Sequence, residues 1–353
     1  MTSDSGGGYP PSGRQRRGNH KARIIVTLTG LAGLALAIGL LVHGGVYDVV
    51  RVLARGGWGL LWLIPLRLLP IVLDASGWRL LLQGQRRAST LFLVWVAAVR
   101  DSVNTLLPVA RVGGEVAGLR LLMIRGVPGS EAGASIIVEV TVTLLVQFVF
   151  TLLGIAILFS YLDDHGAARD VFFGFAAFVP VVAVFLVLQR RGGLFQRLAR
   201  ILKTITGGRN FLGMADPKRL DRAVQALYRK PRLLAATALW QSSGLVAGSV
   251  EIWFALHLFG YPVSPLAALF FESLAQTIQS ASFFVPAGLG VQEGSFVFLG
   301  AVLGLAPDVS LALSLARRLR QLGFGIPMLV SWQWVEARHL RLRLRAQETE
   351  IPR

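Results

Sequence analysis

The feature that most constrains this chain is a series of long apolar runs, each long enough to cross a bilayer. Between Ile24 and Tyr47 no Asp, Glu, Lys or Arg occurs, and about 20 mostly apolar residues suffice for a transmembrane helix. Hydrophobic residues form 54% of the chain and charged residues only 16%, which leaves too few charges to cover a soluble surface. The sequence therefore predicts an all-α, polytopic integral membrane protein.

The distribution of basic residues indicates the partner of this chain. Lys and Arg number 36 against 19 Asp and Glu, a balance that is also typical of nucleic-acid binding. Here the excess lies in tails and in loops between apolar runs, as the positive-inside rule requires of cytoplasmic segments. We expect an anionic membrane face as the partner, no nucleic acid, and both termini in the cytoplasm.

No cofactor and no metal site is expected. The chain has no cysteine, which excludes disulfides, thiolate metal sites and cysteine nucleophiles. Its five histidines are scattered, and none lies three or four residues from another. The absence of a Walker motif, a G-x-S-x-G and an H-E-x-x-H argues against an ATPase or a soluble hydrolase.

Charge and hydropathy divide the chain into two tails and one membrane domain. Residues 1–23 are expected to be a disordered basic cytoplasmic tail, residues 24–335 a single transmembrane domain, and residues 336–353 a second basic cytoplasmic tail. Within the domain, residues 190–232 carry twelve basic and two acidic residues and form the main cytoplasmic loop. Parts of this loop either lie along anionic headgroups as an amphipathic helix or form a solvated loop that fixes topology.

Two motifs that contain proline and glycine, one in each half, indicate where a binding site lies. The segment Pro108-Val-Ala-Arg-Val-Gly-Gly-Glu115 has a counterpart in the second half, Pro286-Ala-Gly-Leu-Gly-Val-Gln-Glu293. The surrounding charges require each segment to enter and leave by the same membrane face, which predicts two re-entrant hairpins broken at the prolines. A broken helix exposes N–H and C=O groups that can hold a charged headgroup or an ion.

When the sequence is aligned with itself so that Pro108 matches Pro286, other segments of the two halves also correspond. Three pairs of segments correspond: residues 58–82 with 236–260, 91–125 with 269–303, and 131–159 with 309–337. By the charge argument the first set begins outside the membrane and the second set begins inside. This pattern predicts an inverted-topology repeat of about residues 58–160 and 236–337, with about six full spans and two re-entrant broken-helix hairpins.

Charged side chains inside the apolar segments are the candidates for substrate binding and translocation. A charge at membrane depth costs about 2.5–3.5 kcal/mol, so it rarely persists without a partner or a role. Arg67 and Asp74, seven residues apart, are two such charges and share one helix face. The predicted translocation residues are Arg100, Asp101, Asn104, Pro108, Arg111, Gly113, Gly114, Glu115, Glu139, Glu251, Glu272, Pro286, Gly288, Gly290, Gln292, Glu293, Arg317, Arg318 and Arg320.

These residue types suit a polar headgroup. Arginine can bind a phosphate through two hydrogen bonds, and glutamate can pair with an amine or relay a proton. For any single residue of the set, the alternative is a structural ion pair or a side chain that snorkels to the interface.

The residues around both motifs resemble those of a known family. The segments that carry the resemblance are Arg100-Asp-Ser-Val-Asn-Thr-Leu-Leu-Pro-Val-Ala-Arg-Val-Gly-Gly-Glu115, Phe283-Phe-Val-Pro-Ala-Gly-Leu-Gly-Val-Gln-Glu-Gly294, Glu251-Ile-Trp253, Glu272-Ser-Leu274 and Arg317-Arg-Leu-Arg320. They are similar to the membrane region of the lysylphosphatidylglycerol synthase/flippase family, nearest to its hopanoid-associated HpnL-type branch. The resemblance covers nearly all of the chain after residue 45. It implies a multi-pass protein of the bacterial inner membrane that translocates or handles lipids.

Three functions are open at this point. The first is a lipid flippase or transporter, in which a polar headgroup crosses a central charged cavity while the tails stay in the bilayer. The second is a non-transporting membrane partner that docks enzymes of lipid or hopanoid biosynthesis through its basic loop. The third is a membrane-embedded lipid headgroup transferase. The chain lacks the soluble aminoacyl-transferase domain of full-length synthases, so we expect no synthase activity.

Overall fold

All regular secondary structure in the described part of the chain is helical. The computed structural model describes residues 38–39, 45–107, 113–161, 217–281, 285 and 288–349, and within these ranges there is no strand. The predicted all-α class is therefore confirmed. The predicted tail 1–23, most of the apolar run 24–47 and most of the basic loop 190–232 lie outside the described residues and stay predictions.

The helices are numbered in chain order, with one 3-10 helix between α1 and α2. Their bounds are α1 Val46–Gly56, the 3-10 helix Gly57–Trp62, α2 Leu63–Leu66, α3 Leu68–Leu81, α4 Thr90–Leu106, α5 Gly113–Ile124, α6 Gly129–Tyr161, α7 Pro217–Tyr228, α8 Pro231–Phe259, α9 Pro265–Ala281, α10 Val291–Val302 and α11 Pro307–Thr349.

Local sequence explains several helix boundaries. Helices α7, α8, α9 and α11 each begin at a proline, where the missing N–H is not needed and the fixed φ suits a helix. Helix α4 begins after Ser89, whose hydroxyl accepts a hydrogen bond from the Phe92 N–H at 3.3 Å, the usual role of an N-cap serine. Helix α8 ends at Gly260, whose φ of +83° is a left-handed value that favours glycine.

Three helical segments are long and apolar enough to cross a membrane. They are Val46–Leu81, Gly129–Ile157 and Pro231–Phe259, and they cover most of the predicted spans in those regions. Large apolar side chains such as Trp58, Leu239 and Trp334 are exposed on the outside of the helices, where lipid tails would cover them. The predicted membrane character is confirmed, whereas the total of about six spans stays a prediction.

Both hairpins are interrupted where the sequence motifs lie. Helix α4 ends at Leu106 and α5 begins at Gly113, while α9 ends at Ala281 and α10 begins at Val291. Leu107 has an extended backbone with φ −99° and ψ 145°, as expected for a residue that precedes a proline. Three predicted site residues in these interruptions, Pro108, Arg111 and Pro286, lie outside the described residues.

The buried apolar side chains form two main cores. One core is formed mainly by α3 to α7 and contains Trp78 and Leu121, and the other is formed mainly by α1 and α8 to α11 and contains Phe271 and Phe296. The halves are joined because α4 packs against α11 and α9 packs against α6. The first helix of each hairpin therefore lies against the long helix that follows the other hairpin.

Helices α3 and α8 lie antiparallel along the centre of the molecule. Gly77 of α3 adjoins Thr237 and Trp240 of α8, whereas Asp74, earlier in α3, adjoins Gly244, later in α8. The sequence shift that relates the two motifs also superposes these two segments, so the corresponding elements of the two halves are in direct contact. This central pair brings the charged residues of both hairpins close together.

The last helix is longer than its apolar sequence. The apolar segment ends near Val335, but α11 continues through residues 336–349. These residues are mostly Ala, Leu, Arg and Glu, which favour helix, and they include no glycine or proline. The basic residues of the predicted C-terminal tail therefore extend a helix as far as Thr349.

Candidate functional site

The predicted site residues that the structure describes fall into three ion-pair clusters between the helices. The Arg100 cluster comprises Arg100, Asn104, Gly114, Glu115 and Glu139; the Glu251 cluster comprises Arg67, Asp101, Glu251, Glu272, Arg317 and Arg320; and the Glu293 cluster comprises Gly288, Gly290, Gln292, Glu293 and Arg318. Gly113, the first residue of α5, adjoins the Arg100 cluster.

In the Arg100 cluster one cation serves two carboxylates. Nη2 of Arg100 in α4 donates to Glu115 at the start of α5 and to Glu139 of α6, the latter at 2.7 Å. The guanidinium also lies over the ring of Trp78, 4.6 Å from the ring centroid, within the range of a cation–π interaction. Arg100 and Glu139 are buried, whereas the side chain of Glu115 is 25% exposed. The cluster thus has more negative than positive charge and one accessible carboxylate.

Two glycines of α5 make room for Arg100. A Cβ at Gly114 would clash with the Arg100 carbonyl oxygen, and a Cβ at Gly118 would lie 2.7 Å from Arg100 Cδ. The Gly114 N–H donates to Asn104 Oδ1 at 2.8 Å, which satisfies one of the otherwise unpaired N–H groups of the first helical turn. Asn104 and the glycines therefore fix α5 against α4 and position Glu115.

The Glu251 cluster joins the two halves across the α3–α8 pair. Arg67 donates to Asp101 through Nη2 at 2.7 Å and through Nε at 3.3 Å. Arg67 Nη1 also lies 3.8 Å from Glu251 Oε1, and Arg320 Nε lies 3.2 Å from Glu251 Oε2. Glu251 Oε1 and Arg320 Nε are buried without a hydrogen-bond partner within the described ranges. Glu251 is therefore held between two guanidiniums by charge more than by directed hydrogen bonds.

A second arginine of α11 completes this cluster. Arg317 donates to Glu272 of α9 through Nη1 at 2.7 Å and through Nη2 at 2.9 Å. Glu251, Arg317 and Arg320 line a cavity of about 10 Å³, which is about the room that one water molecule needs. This cavity beside Glu251 is therefore too small for a lipid headgroup.

In the Glu293 cluster the carboxylate caps its own helix. Glu293 Oε2 accepts a hydrogen bond from the Gly290 N–H at 2.8 Å, and Oε1 accepts one from Arg318 Nε at 3.0 Å. Gly288 and Gly290 have φ values of +59° and +76°, which glycine adopts without strain. Arg318 Nη2 also donates to the Gly288 carbonyl at 3.3 Å. The described part of the motif, residues 288–293, therefore forms a tight turn that is hydrogen-bonded to α11.

Comparison with known families identifies the type of protein. A family model described as the lysylphosphatidylglycerol synthase TM region matches residues 27–328. The chain belongs to this family. The predicted family is thereby confirmed at this level, whereas the HpnL-type branch stays a prediction. No curated protein and no solved structure matches the chain.

Sequence reasoning missed several contacts in this member of the lysylphosphatidylglycerol synthase TM family. Arg67 and Asp74 share a helix face in the sequence pattern, but Arg67 binds Asp101 and does not bind Asp74. Gln292 was predicted as a site residue, yet its Nε2 donates to the backbone carbonyl and the hydroxyl of Ser314, both at 3.1 Å. Gln292 therefore holds α10 against α11.

Only one of the missed contacts had a signal in the sequence. Gly114 and Gly118 are spaced as a small-xxx-small pair, which indicates close helix packing. The contact between Trp78 and Arg100 had no such signal, because a buried tryptophan in an apolar helix is ordinarily a core residue.

Proposed function

We propose that this protein is a lipid flippase or transporter of a bacterial inner membrane, with both termini in the cytoplasm. A polar headgroup passes between the two hairpins while the lipid tails remain in the bilayer. The family resemblance favours polar lipids, including aminoacylated or hopanoid-associated ones. The observation that carries the proposal is the set of buried and partly buried ion pairs between the helices, drawn from both halves of the chain.

The pairing within this set supports exchange with a ligand. Five arginines face six carboxylates, so the whole set is close to neutral. Arg100 is shared by two carboxylates, and Glu251 is shared by two arginines with some polar atoms unsatisfied among the described residues. A phosphate can replace a carboxylate on an arginine through similar hydrogen bonds, and an amine can replace an arginine on a carboxylate. A headgroup that carries both a phosphate and an amine can therefore bind with little change in the net charge of the set.

The packing of the halves supports an opening movement. The cavity beside Glu251 is too small for a headgroup, so passage at this point requires the helices around it to separate. Each hairpin lies against the long helix of the other half, and the corresponding helices α3 and α8 lie antiparallel. This arrangement is what an inverted-topology repeat requires, and such repeats rock one half against the other around a central site.

A second candidate function is a membrane partner that docks lipid-biosynthesis enzymes without transporting lipid. Helix α7 supports it, because Leu220 and Val224 are buried while Lys218, Arg219 and Arg222 are exposed. Such a basic face suits anionic lipid headgroups or an acidic partner. This role does not require the buried clusters, so the two functions can be separated by experiment.

The test is lipid movement by the purified protein in liposomes. A phosphatidylethanolamine with a fluorescent acyl chain, whose headgroup carries both a phosphate and an amine, is placed in both leaflets, and a membrane-impermeant reductant bleaches the outer one. We expect the protein to bring the inner label within reach of the reductant and Glu115→Gln to slow this at least tenfold, because Glu115 is the accessible carboxylate. Glu131→Gln is the matched control, since Glu131 is exposed and outside the clusters. Equal rates in the wild type and Glu115→Gln would refute the site.

A further inference from the structure

Asp74 differs from every acid of the three clusters because it has no arginine partner within the described part of the chain. It lies in α3, within the candidate span Val46–Leu81. Within the described ranges its carboxyl makes no hydrogen bond and no ion pair. The acids of the clusters are each bonded to, or in salt-bridge contact with, at least one guanidinium. An unpaired carboxylate at this depth is costly, so its presence requires an explanation.

The carboxyl of Asp74 packs against Gly244 of the facing helix α8. A Cβ at Gly244 would clash with Asp74 Oδ1, so glycine is needed there to admit the side chain. One helical turn before Gly244 lies Gln241, which is 5% exposed and whose Nε2 has no hydrogen-bond partner among the described residues. Gln241 approaches the Glu139 carboxylate. The buried polar side chains of Gln241 and Glu139 thus lie near Asp74, where α3, α6 and α8 meet.

The charged groups around Asp74 already have partners of opposite charge. Those that act on Asp74 are Glu139 of α6, Arg67 before α3, and Arg100 and Asp101 of α4. On α8 the nearest acid is Glu251, about two turns beyond Gly244 and in contact with two arginines. A proton taken up by any of these acids would weaken a contact with an arginine. A proton taken up by Asp74 weakens none and neutralises a charge inside a candidate membrane span.

We propose that Asp74 is a proton-binding site that couples lipid movement to a transmembrane proton gradient. This inference rests on the proposed function. The proton binds from one aqueous face and leaves to the other in each cycle. When it leaves, the Asp74 carboxylate competes with Glu115 and Glu139 for Arg100, which those two acids share. The protonation state of Asp74 therefore determines how strongly Arg100 can bind the phosphate of a headgroup.

The experiment uses the reconstituted full chain with an imposed pH gradient and the membrane potential clamped to zero. We expect the gradient to accelerate movement of the fluorescent phosphatidylethanolamine severalfold in the wild type, and a pH dye inside the vesicles to report proton uptake that requires lipid. Asp74→Asn is expected to abolish both effects of the gradient. Asp74→Glu is expected to retain them in part, and Glu131→Gln to retain them fully.

The outcomes separate this inference from the proposed function. The proton site would be refuted if lipid movement in the wild type did not respond to the gradient, or if Asp74→Asn responded as strongly as the wild type. Either outcome would leave the proposed flippase function standing. An absence of lipid movement in the wild type under every gradient would overturn both. If Asp74→Asn fails to fold, Gly244→Ala displaces the same carboxyl and should lower the response. Gly248→Ala is its control, because a Cβ there meets Glu272 only at 3.5 Å.

Discussion

Glu115 and Glu293 occupy corresponding positions in the two motifs, yet they are held in different ways. Glu115 is bound by Arg100, which comes from the helix before the break and which also binds Glu139. Glu293 is bound by Arg318, which comes from the long helix after the break, and it also caps α10 through the Gly290 N–H. The side chain of Glu115 is 25% exposed and that of Glu293 only 4%.

The glycines of the two motifs also have different structural roles. In the first motif Gly114 allows α5 to approach the backbone of α4 closely. In the second motif Gly288 and Gly290 provide positive φ values for a tight turn, and a Cβ at Gly288 would meet nothing within 4 Å. The same residue type thus serves helix packing in one half and backbone conformation in the other.

This difference indicates a division of roles between the hairpins. A carboxylate that caps its own helix and is fully enclosed cannot exchange its partner without unwinding that helix. A partly exposed carboxylate on a shared arginine can exchange its partner more easily. We therefore infer that the first hairpin contacts the headgroup and that the second is the more rigid element, and this comparison makes three predictions.

The largest effect is expected from Arg100→Met. It removes the cation from both Glu115 and buried Glu139, and loss of one partner of a buried pair costs about 3–5 kcal/mol. Arg318→Met should cost less, because Glu293 keeps its bond to the Gly290 N–H. Unfolding in mixed detergent micelles, followed by circular dichroism, measures both free energies. An equal loss in the two variants would show that the two glutamates depend on their arginines alike.

An intermediate effect on stability is expected from the two glutamates themselves. Glu293→Gln weakens both a helix cap and an ion pair, and we expect a loss of about 2 kcal/mol because Arg318 is partly solvated. Glu115→Gln should cost less than about 1 kcal/mol, because Arg100 retains Glu139. The same unfolding measurement, combined with the lipid assay, tests the division of roles. A variant Glu115→Gln that unfolds as readily as Glu293→Gln would contradict it.

The sequence predicted the helices well because their signals are local. The apolar runs reappear as helices, and the two Pro/Gly motifs reappear as breaks between helices. The charged residues were also identified individually, since each stands out in an apolar segment. The family of the chain is confirmed by the match, whereas the role of these residues stays a proposal.

The partners of these charges could not be predicted from the motif repeat. The shift that relates Glu115 to Glu293 places Ile278 opposite Arg100 and Arg317 opposite Glu139. The arginine that binds each glutamate therefore comes from a different element in each half. Which pairs form depends on how α4 and α11 pack across the molecule, a long-range contact that no sequence spacing encodes.

The smallest effect is expected at the far end of the helix that begins near Glu115. Arg120 of α5 donates to Glu336 of α11 through Nε at 2.6 Å and Nη2 at 2.9 Å, but its side chain is 51% exposed. Exposed ion pairs contribute about 0–1 kcal/mol and are screened by salt. Arg120→Met should therefore lower the free energy of unfolding by no more than this, and the difference should shrink as salt is raised.

The contrast with Arg100→Met makes this last variant informative. Arg100 and Arg120 lie on either side of Glu115, and each binds carboxylates of other helices, but only Arg100 is buried. If burial determines how much these ion pairs stabilise the protein, the free energies of unfolding of the two variants differ by several kcal/mol. If Arg120→Met instead proved as costly and slowed lipid movement as much as Glu115→Gln, α5 would be held mainly from its outer end. The position of Glu115 would then depend more on the ion pair between Arg120 of α5 and Glu336 of α11 than on Arg100, which Glu115 shares with Glu139.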